Sequence, residues 1–296
     1  MEIQLRRGGQ RAAVRSVGAT LRGYWAQGRQ LLDGFGRRSW SPDGRGQLLL
    51  PWPNRIRDGR YRFGNRSHQL PISEVARGNA IHGLVRWLGW QVEEVEPERV
   101  RLSLELFPQP GYPFWMRLEA EYALTAEGLA VTLGALNLGP EAAPFGAGAH
   151  PYVRVAGHRV DELVLRLPAT SRLLSDSRGI PTGSRAVTGT HFDFRQGRMI
   201  GGQRLDTCFT GLPDGGWEAE VFSTATGHGV RVWADGGFPY AMVYSGDGVL
   251  PAHRRRAGLA VEPMTCAPDA FNSGRGLLVL GPGETFSGRW GLALAG

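Results

Sequence analysis

Nowhere does this chain hold the 3.6-residue apolar period of a long helix. Short alternating runs, cut by Gly, Pro, Asn and Asp, fill it almost from end to end. Arg11 to Gln27 alternates as the two strands of a hairpin would. Asp58-Gly59 is a hairpin turn signal between Asn54-Arg55-Ile56 and Arg60-Tyr61-Arg62-Phe63. Val85 to Val95, Arg99 to Phe107, Phe114 to Thr125 and Leu129 to Asn137 follow as strands, with Arg117 to Leu124 and Ala130 to Asn137 forming a meander through Ala126-Glu127-Gly128. Glu162 to Leu167, Trp217 to Ser223, Gly229 to Trp233, Tyr240 to Tyr244 and Gly276 to Leu280 continue the pattern, and Glu284 to Leu294 closes it. Pro168 to Gly202 reads as irregular. The 44 glycines and 19 prolines suit many turns, and 42% hydrophobic residues suffice for a sizeable core. No repeat, low-complexity stretch or linker interrupts the chain. The expectation is one all-β domain over residues 1–296, with two packed, mostly antiparallel sheets.

The sequence contains no lysine, so all 34 basic residues are arginine. Schiff-base chemistry on a lysine is thereby excluded, as is the lysine of a phosphate-binding P-loop. The net charge of +7 is scattered, apart from Arg254-Arg255-Arg256 between Pro251 and Gly258. That run reads first as a solvated loop, and a nucleic-acid partner is not expected. Cys208 and Cys266 make no disulfide framework and read as buried free thiols of a reducing compartment. Met1 to Arg15 carries charges and no apolar core, and no apolar run approaches the roughly 20 residues of a membrane span. A cytoplasmic location without membrane association is expected, as a monomer or homodimer.

Four segments carry the chemistry: Asn79-Ala80-Ile81-His82-Gly83, Gly148-Ala149-His150-Pro151-Tyr152, Leu205-Asp206-Thr207-Cys208-Phe209 and Val261-Glu262-Pro263-Met264-Thr265. Each sets a His or an acid beside Gly, Pro or a β-type residue, as loops and strand ends lining a cleft do. Two histidines and two carboxylates can move protons on a neutral, hydroxyl-rich substrate. His68, His158, His191, His228 and His253 lack such settings.

Taken in order, these segments resemble the aldose 1-epimerases, or galactose mutarotases. Asn54-Arg55-Ile56 with Gly59-Arg60-Tyr61, Asn79 to Gly83, Asn137 to Tyr152, Leu205-Asp206 and Glu262-Pro263 follow the family's order over nearly the whole chain. The resemblance implies a β-supersandwich, no metal, no organic cofactor and a small-molecule sugar as partner. It makes His150 the general acid and Glu262 the general base, with Arg55, His82 and Asp206 holding the sugar hydroxyls. Two departures mark a divergent subgroup. Leu84-Val85-Arg86-Trp87 follows His82-Gly83 where better-known members have a further glycine and an aromatic, and Met264-Thr265 follows Glu262-Pro263. Trp115 and Phe271 are candidate platforms for the apolar face of a sugar.

Three rival readings remain. His82, His150 and the acids could ligate a metal, although the chain lacks close-paired ligand motifs. A non-catalytic sugar-binding protein on the same fold would have lost its acid or its base, and both are present. A hexose 6-phosphate would need extra arginines aimed at a dianion, for which Arg86, Arg117 and Arg254 to Arg256 are available.

Overall fold

The computed structural model describes residues 1–249 and 251–296. It is built almost wholly of strands. Glu2–Arg7, Gln10–Arg15, Leu21–Ala26 and Arg29–Gln30 form a four-stranded meander at the N-terminal end. A nine-stranded sheet is centred on Thr285–Ala295, with Leu129–Asn137, Met116–Leu124, Arg99–Leu106 and Gln91–Val95 on one side. Gly229–Asp235, Gly216–Phe222, Val164–Arg166 and Arg198–Met199 lie on the other. A six-stranded sheet runs in the order Tyr152–Val153, Leu259–Met264, Tyr240–Tyr244, Asp206–Thr210, Ser171–Ser175, Pro181–Ala186. The pairings within these sheets are antiparallel. This is the all-β, antiparallel architecture that the motifs imply. No helix among the described residues is long and apolar enough to cross a membrane.

The alternation in the sequence becomes a division between core and solvent. Along Met116–Leu124, Met116, Leu118, Ala120, Tyr122 and Leu124 are buried, while Arg117, Glu119 and Glu121 face outward. The outward charges neutralise one another across the strands, with Arg117 3.1 Å from Glu119 and 3.4 Å from Glu93. Leu259–Met264 is buried at all six positions because both of its faces are covered. One contiguous apolar core runs from Ile3 through Trp52, Tyr122 and Leu133 to Trp290 and Leu292.

Four local expectations are corrected. Asp58-Gly59 is a turn, but Arg55–Arg57 pairs with Asn79–Ile81, and Arg60–Phe63 pairs with Arg66–Gln69. The turn therefore passes the chain from one small ribbon to the next, and the first ribbon brings Arg55 opposite Ile81, beside His82. Of Val85 to Val95 only Gln91–Val95 is strand; the Trp-rich stretch before it forms loops. Pro168 to Gly202 holds the strand Ser171–Ser175 and the edge strand Pro181–Ala186; the first is too short and the second too polar for the alternation to show. The Arg254 to Arg256 run is also not a free patch. Arg254 binds the buried Asp33, and Arg256 lies 2.9 Å from Asp161 and 3.0 Å from Asp247.

Gly83 shows how tightly the loops are fitted. Its φ is +69°, and an added Cβ would stand 1.9 Å from the Leu50 carbonyl oxygen. Leu133→Ala, in the middle of the nine-stranded sheet, is expected to cost about 2–5 kcal/mol in urea unfolding. Gly83→Ala should be destabilising by more than about 2 kcal/mol although it removes no buried atom. A Gly83→Ala protein as stable as the wild type would contradict the fitted turn.

Candidate active site

The register of the six-stranded sheet assembles one wall of a cleft. Asp206 pairs with Tyr244, and Met242 pairs with Glu262. Partners across a ladder, and residues two apart along a strand, share a face. Asp206, Tyr244, Met242 and Glu262 therefore project together into a cavity of about 500 Å³.

The opposite wall comes from loops. The 148–150 segment runs antiparallel alongside Leu259–Met264, through a Gly148–Met264 bridge and Ala149 N–H to Pro263 O at 3.2 Å. His150 N–H donates to Gln47 O at 3.0 Å, and His150 O accepts from Gly46 N–H at 2.9 Å, so both sides of this backbone are tied. The imidazole stacks on Tyr152 at 4.9 Å between ring centres, and the Arg45 guanidinium lies 4.4 Å from the centre of the same Tyr152 ring. Gly44 lets the chain pass the imidazole, since a Cβ there would meet His150 Cδ2 at 2.8 Å. Asn54 N–H donates to His82 Nδ1 at 3.2 Å, which leaves the His82 proton on Nε2. Both Asn54 and His82 hold positive φ, +57° and +63°, at this exchange.

Five of the residues singled out in the sequence line the cavity together: Arg55, His82, His150, Asp206 and Glu262. His150 Nε2 stands 3.3 Å from Glu262 Oε1. The His82 and His150 rings meet edge to face at 5.3 Å. Arg55 Nη2 lies 3.7 Å from Asp206 Oδ2. Asp206 is the outermost of the five, its side chain 36% exposed, whereas that of Glu262 is 2% exposed.

Trp115 and Phe271 are not brought to the cleft. Trp115 stacks on Phe107 and donates its indole N–H to Glu105 at 2.7 Å. Phe271 is buried against Trp52 and Tyr61 in the core. The aromatics that border the cavity are Tyr152, Tyr244, Trp40 and Trp87. Glu74 also escaped the sequence. It grips Arg55 through Nε at 3.0 Å and Nη2 at 3.0 Å, so one edge of the guanidinium fork is already committed. Balancing the charge of a buried arginine is the signal that could have found Glu74. Arg86 lines the cavity as well, held by the Ile81 carbonyl at 3.3 Å. Among the described residues no carboxylate lies within ion-pair distance of Arg86.

Burial dominates the electrostatics. It raises the Glu262 carboxyl well above the usual range, helped by the Asp206 charge and opposed by Arg55. It pushes the His150 imidazole down to about 3, with the Arg45 and Arg86 charges adding to the effect. His82 is lowered well below its ordinary value by burial, then by His150, Arg86 and Arg55. For Arg55 burial opposes the charge, but the Glu74 hydrogen bonds and the Asp206, Glu74 and Glu262 carboxylates outweigh it and hold the guanidinium above its ordinary value. His150 Nδ1 and Glu262 Oε2 are buried without a hydrogen-bond partner. A buried acid and imidazole with unused valences can hold one proton between them and offer polar atoms to a third group.

A second depression, of about 520 Å³, lies on the outer face of the nine-stranded sheet. Its charged lining, including Glu93, Arg117 and Glu119, is already paired within the sheet.

The aldose 1-epimerase family model matches residues 1–292, and the chain belongs to that family. It is 36% identical to the uncharacterised protein YihR of Escherichia coli over 283 residues, covering 95% of this chain and 89% of that one. The galactose 1-epimerase of Lactobacillus acidophilus superposes with a TM-score of 0.83 at 25% identity, covering 99% of this chain and 93% of that one. The aldose epimerase homologue of C. elegans superposes with a TM-score of 0.89 at 19% identity, covering 100% and 98%.

The raised Glu262 carboxyl ties stability to pH. Folding then favours the protonated acid, so its contribution is present below the ordinary carboxylate value and is lost as pH rises from there through the raised value. Glu262→Gln keeps the shape without the ionisation. Its Tm relative to wild type should therefore climb between about pH 5 and about pH 8. A difference that stays constant over that interval, by calorimetry, would contradict the buried neutral acid.

Proposed function

We propose that this protein is an aldose 1-epimerase that interconverts the α and β anomers of a free hexose such as glucose or galactose. The observation that carries the reading is the 3.3 Å approach of His150 Nε2 to Glu262 Oε1 in a cleft also lined by Arg55, His82 and Asp206. Mutarotation opens a cyclic hemiacetal and closes it on the other face. Glu262 removes the proton of the C1 hydroxyl while His150 protonates the ring oxygen, and the C1–O5 bond breaks. The open aldehyde turns about C1–C2, and the two groups exchange roles as the ring closes.

One shared proton suffices for this cycle. The ring-opening state holds it on His150 with Glu262 ionised; the ring-opened state holds it on Glu262 with His150 neutral. Burial favours the second arrangement before sugar enters. A bound sugar, whose hydroxyls reach His150, Glu262 and the Nε2–H of His82, replaces part of the lost hydration. Arg55, its far edge fixed by Glu74, presents its remaining donors toward Asp206 and the substrate.

Polarimetry of freshly dissolved α-D-glucose and α-D-galactose tests the reading. Wild-type protein should outpace the spontaneous rate, and Glu262→Gln and His150→Asn should each lose roughly a hundredfold or more. Arg55→Ala should act chiefly on KM. No acceleration by the wild type with either sugar would sink the proposal. The pH profile of kcat/KM should show an acid limb below the ordinary imidazole value, where a second proton is taken up, and an alkaline limb above the ordinary carboxylate value, where the shared proton is lost. A lone limb centred near the ordinary histidine value would contradict the shared proton.

Arg86 favours a second substrate reading, a hexose 6-phosphate. Burial pushes this guanidinium down to about 10, a cost that an anionic substituent would offset. Under that reading glucose 6-phosphate outcompetes glucose, and Arg86→Gln weakens the phosphorylated sugar more than the free one.

A further inference from the structure

The cleft does not end at its catalytic pair. A further depression of about 480 Å³ adjoins it, and Trp40, Ser41, Arg86 and Trp87 line both. Trp40 and Trp87 are 71% and 50% exposed, and their ring centres are 6.0 Å apart at an interplanar angle of 41°. Neither is needed for the core. Two large apolar rings held next to each other in water, at the mouth of a site that reads hydroxyl groups, require an explanation.

Both rings sit on anchored loops. Arg15 donates to the carbonyls of Ser39 at 2.5 Å and Gly36 at 3.0 Å, which fastens the loop before Trp40 to the N-terminal meander. Ser41 Oγ donates to Arg45 O at 2.8 Å just after it. Leu88, next to Trp87, accepts Gly18 N–H at 2.8 Å and donates its own N–H to Val85 O at 3.1 Å. The backbone that carries both rings is thus held before any ligand arrives, which reduces the ordering cost of binding. Beyond them this adjoining depression offers polar groups of both kinds: Glu2, Arg15, Arg37, Ser41 and Gln47. Apolar faces beside scattered donors and acceptors suit a pyranose, which presents C–H bonds on its faces and hydroxyls around its edge.

The geometry points to a second sugar subsite, in which Trp40 and Trp87 receive the non-reducing ring of a reducing disaccharide whose reducing ring lies at His150 and Glu262. This rests on the proposed mutarotase reading for the first ring. The chemistry sets the direction of the chain. The C1 hydroxyl must stay free for the hemiacetal to open, so the second ring joins through another hydroxyl of the reacting sugar. Trp40, Ser41 and Trp87 would then determine specificity without touching the reacting atoms.

Four reducing disaccharides that differ in linkage test this: maltose, lactose, melibiose and gentiobiose, each against its reducing monosaccharide. Polarimetry gives the ratio of kcat/KM for disaccharide to monosaccharide, and saturation-transfer NMR shows which ring protons touch the protein. For at least one disaccharide, both rings should receive saturation and the ratio should exceed one. Trp40→Ala/Trp87→Ala should lower that ratio about tenfold and remove the signals of the non-reducing ring. Saturation confined to the reducing ring for all four sugars, or a ratio the double variant leaves unmoved, would overturn the subsite. Contact with both rings but no turnover of any sugar would sustain the subsite and sink the mutarotase reading. A lack of saturation from all four would overturn the subsite as well, while monosaccharide turnover would still support the reaction.

Discussion

An acid and an imidazole that water would keep apart and hydrated stand 3.3 Å from each other in a buried cleft, and much of the surrounding structure keeps them there. The six-stranded sheet supplies Glu262 at a register fixed by Met242 on the neighbouring strand. The 148–150 segment supplies His150 by running antiparallel along the edge of that sheet, bonded on one side to Pro263 and on the other to Gln47. Tyr152 covers one face of the imidazole, and Arg45, itself neutralised by Asp33 and Asp43, flanks Tyr152. Each of these groups removes water from the pair. Burial is therefore what displaces both proton affinities, and the charges nearby adjust the result.

The second shared constraint is cationic. Arg55 lies between Glu74 and Asp206, two carboxylates that would repel one another without it. Arg77 adds a further contact to Asp206 at 3.3 Å on the exposed side. The site is therefore graded, from Asp206 at the wet rim to Glu262 in the dry interior. That gradient gives two carboxylates different surroundings, one half-open to solvent and one sealed from it.

The fold was largely legible because antiparallel sheets write their burial as a two-residue alternation, which Met116–Leu124 follows throughout. The short strand at 171–175 and the polar edge strand at 181–186 carry no such extended alternation and were missed. Five of the expected site residues meet in one cavity, and short motifs mark them in order along the chain. Trp115 and Phe271 were misjudged for a physical reason: an aromatic next to Pro or Asp reads the same whether it faces a cleft, a sheet surface or the core. Glu74 lies in an ordinary-looking Ser-Glu-Val, and its role appears only when the buried Arg55 is given a counter-charge. Arg86-Trp87 did leave a trace, as a departure from the usual wording after His82-Gly83, and that departure falls at the mouth of the cleft.

Histidine aside, every side-chain cation in the chain is a guanidinium, and Arg45, Arg55 and Arg256, all largely buried, serve as struts between carboxylates. A cleft that opens hemiacetals releases, for a moment, a free aldehyde within reach of the protein surface. Aldehydes condense with primary amines and far less readily with guanidinium groups, which remain protonated near neutral pH. The same substitution that gives this fold its planar ion pairs therefore leaves no lysine for its own proposed reaction intermediate to glycate.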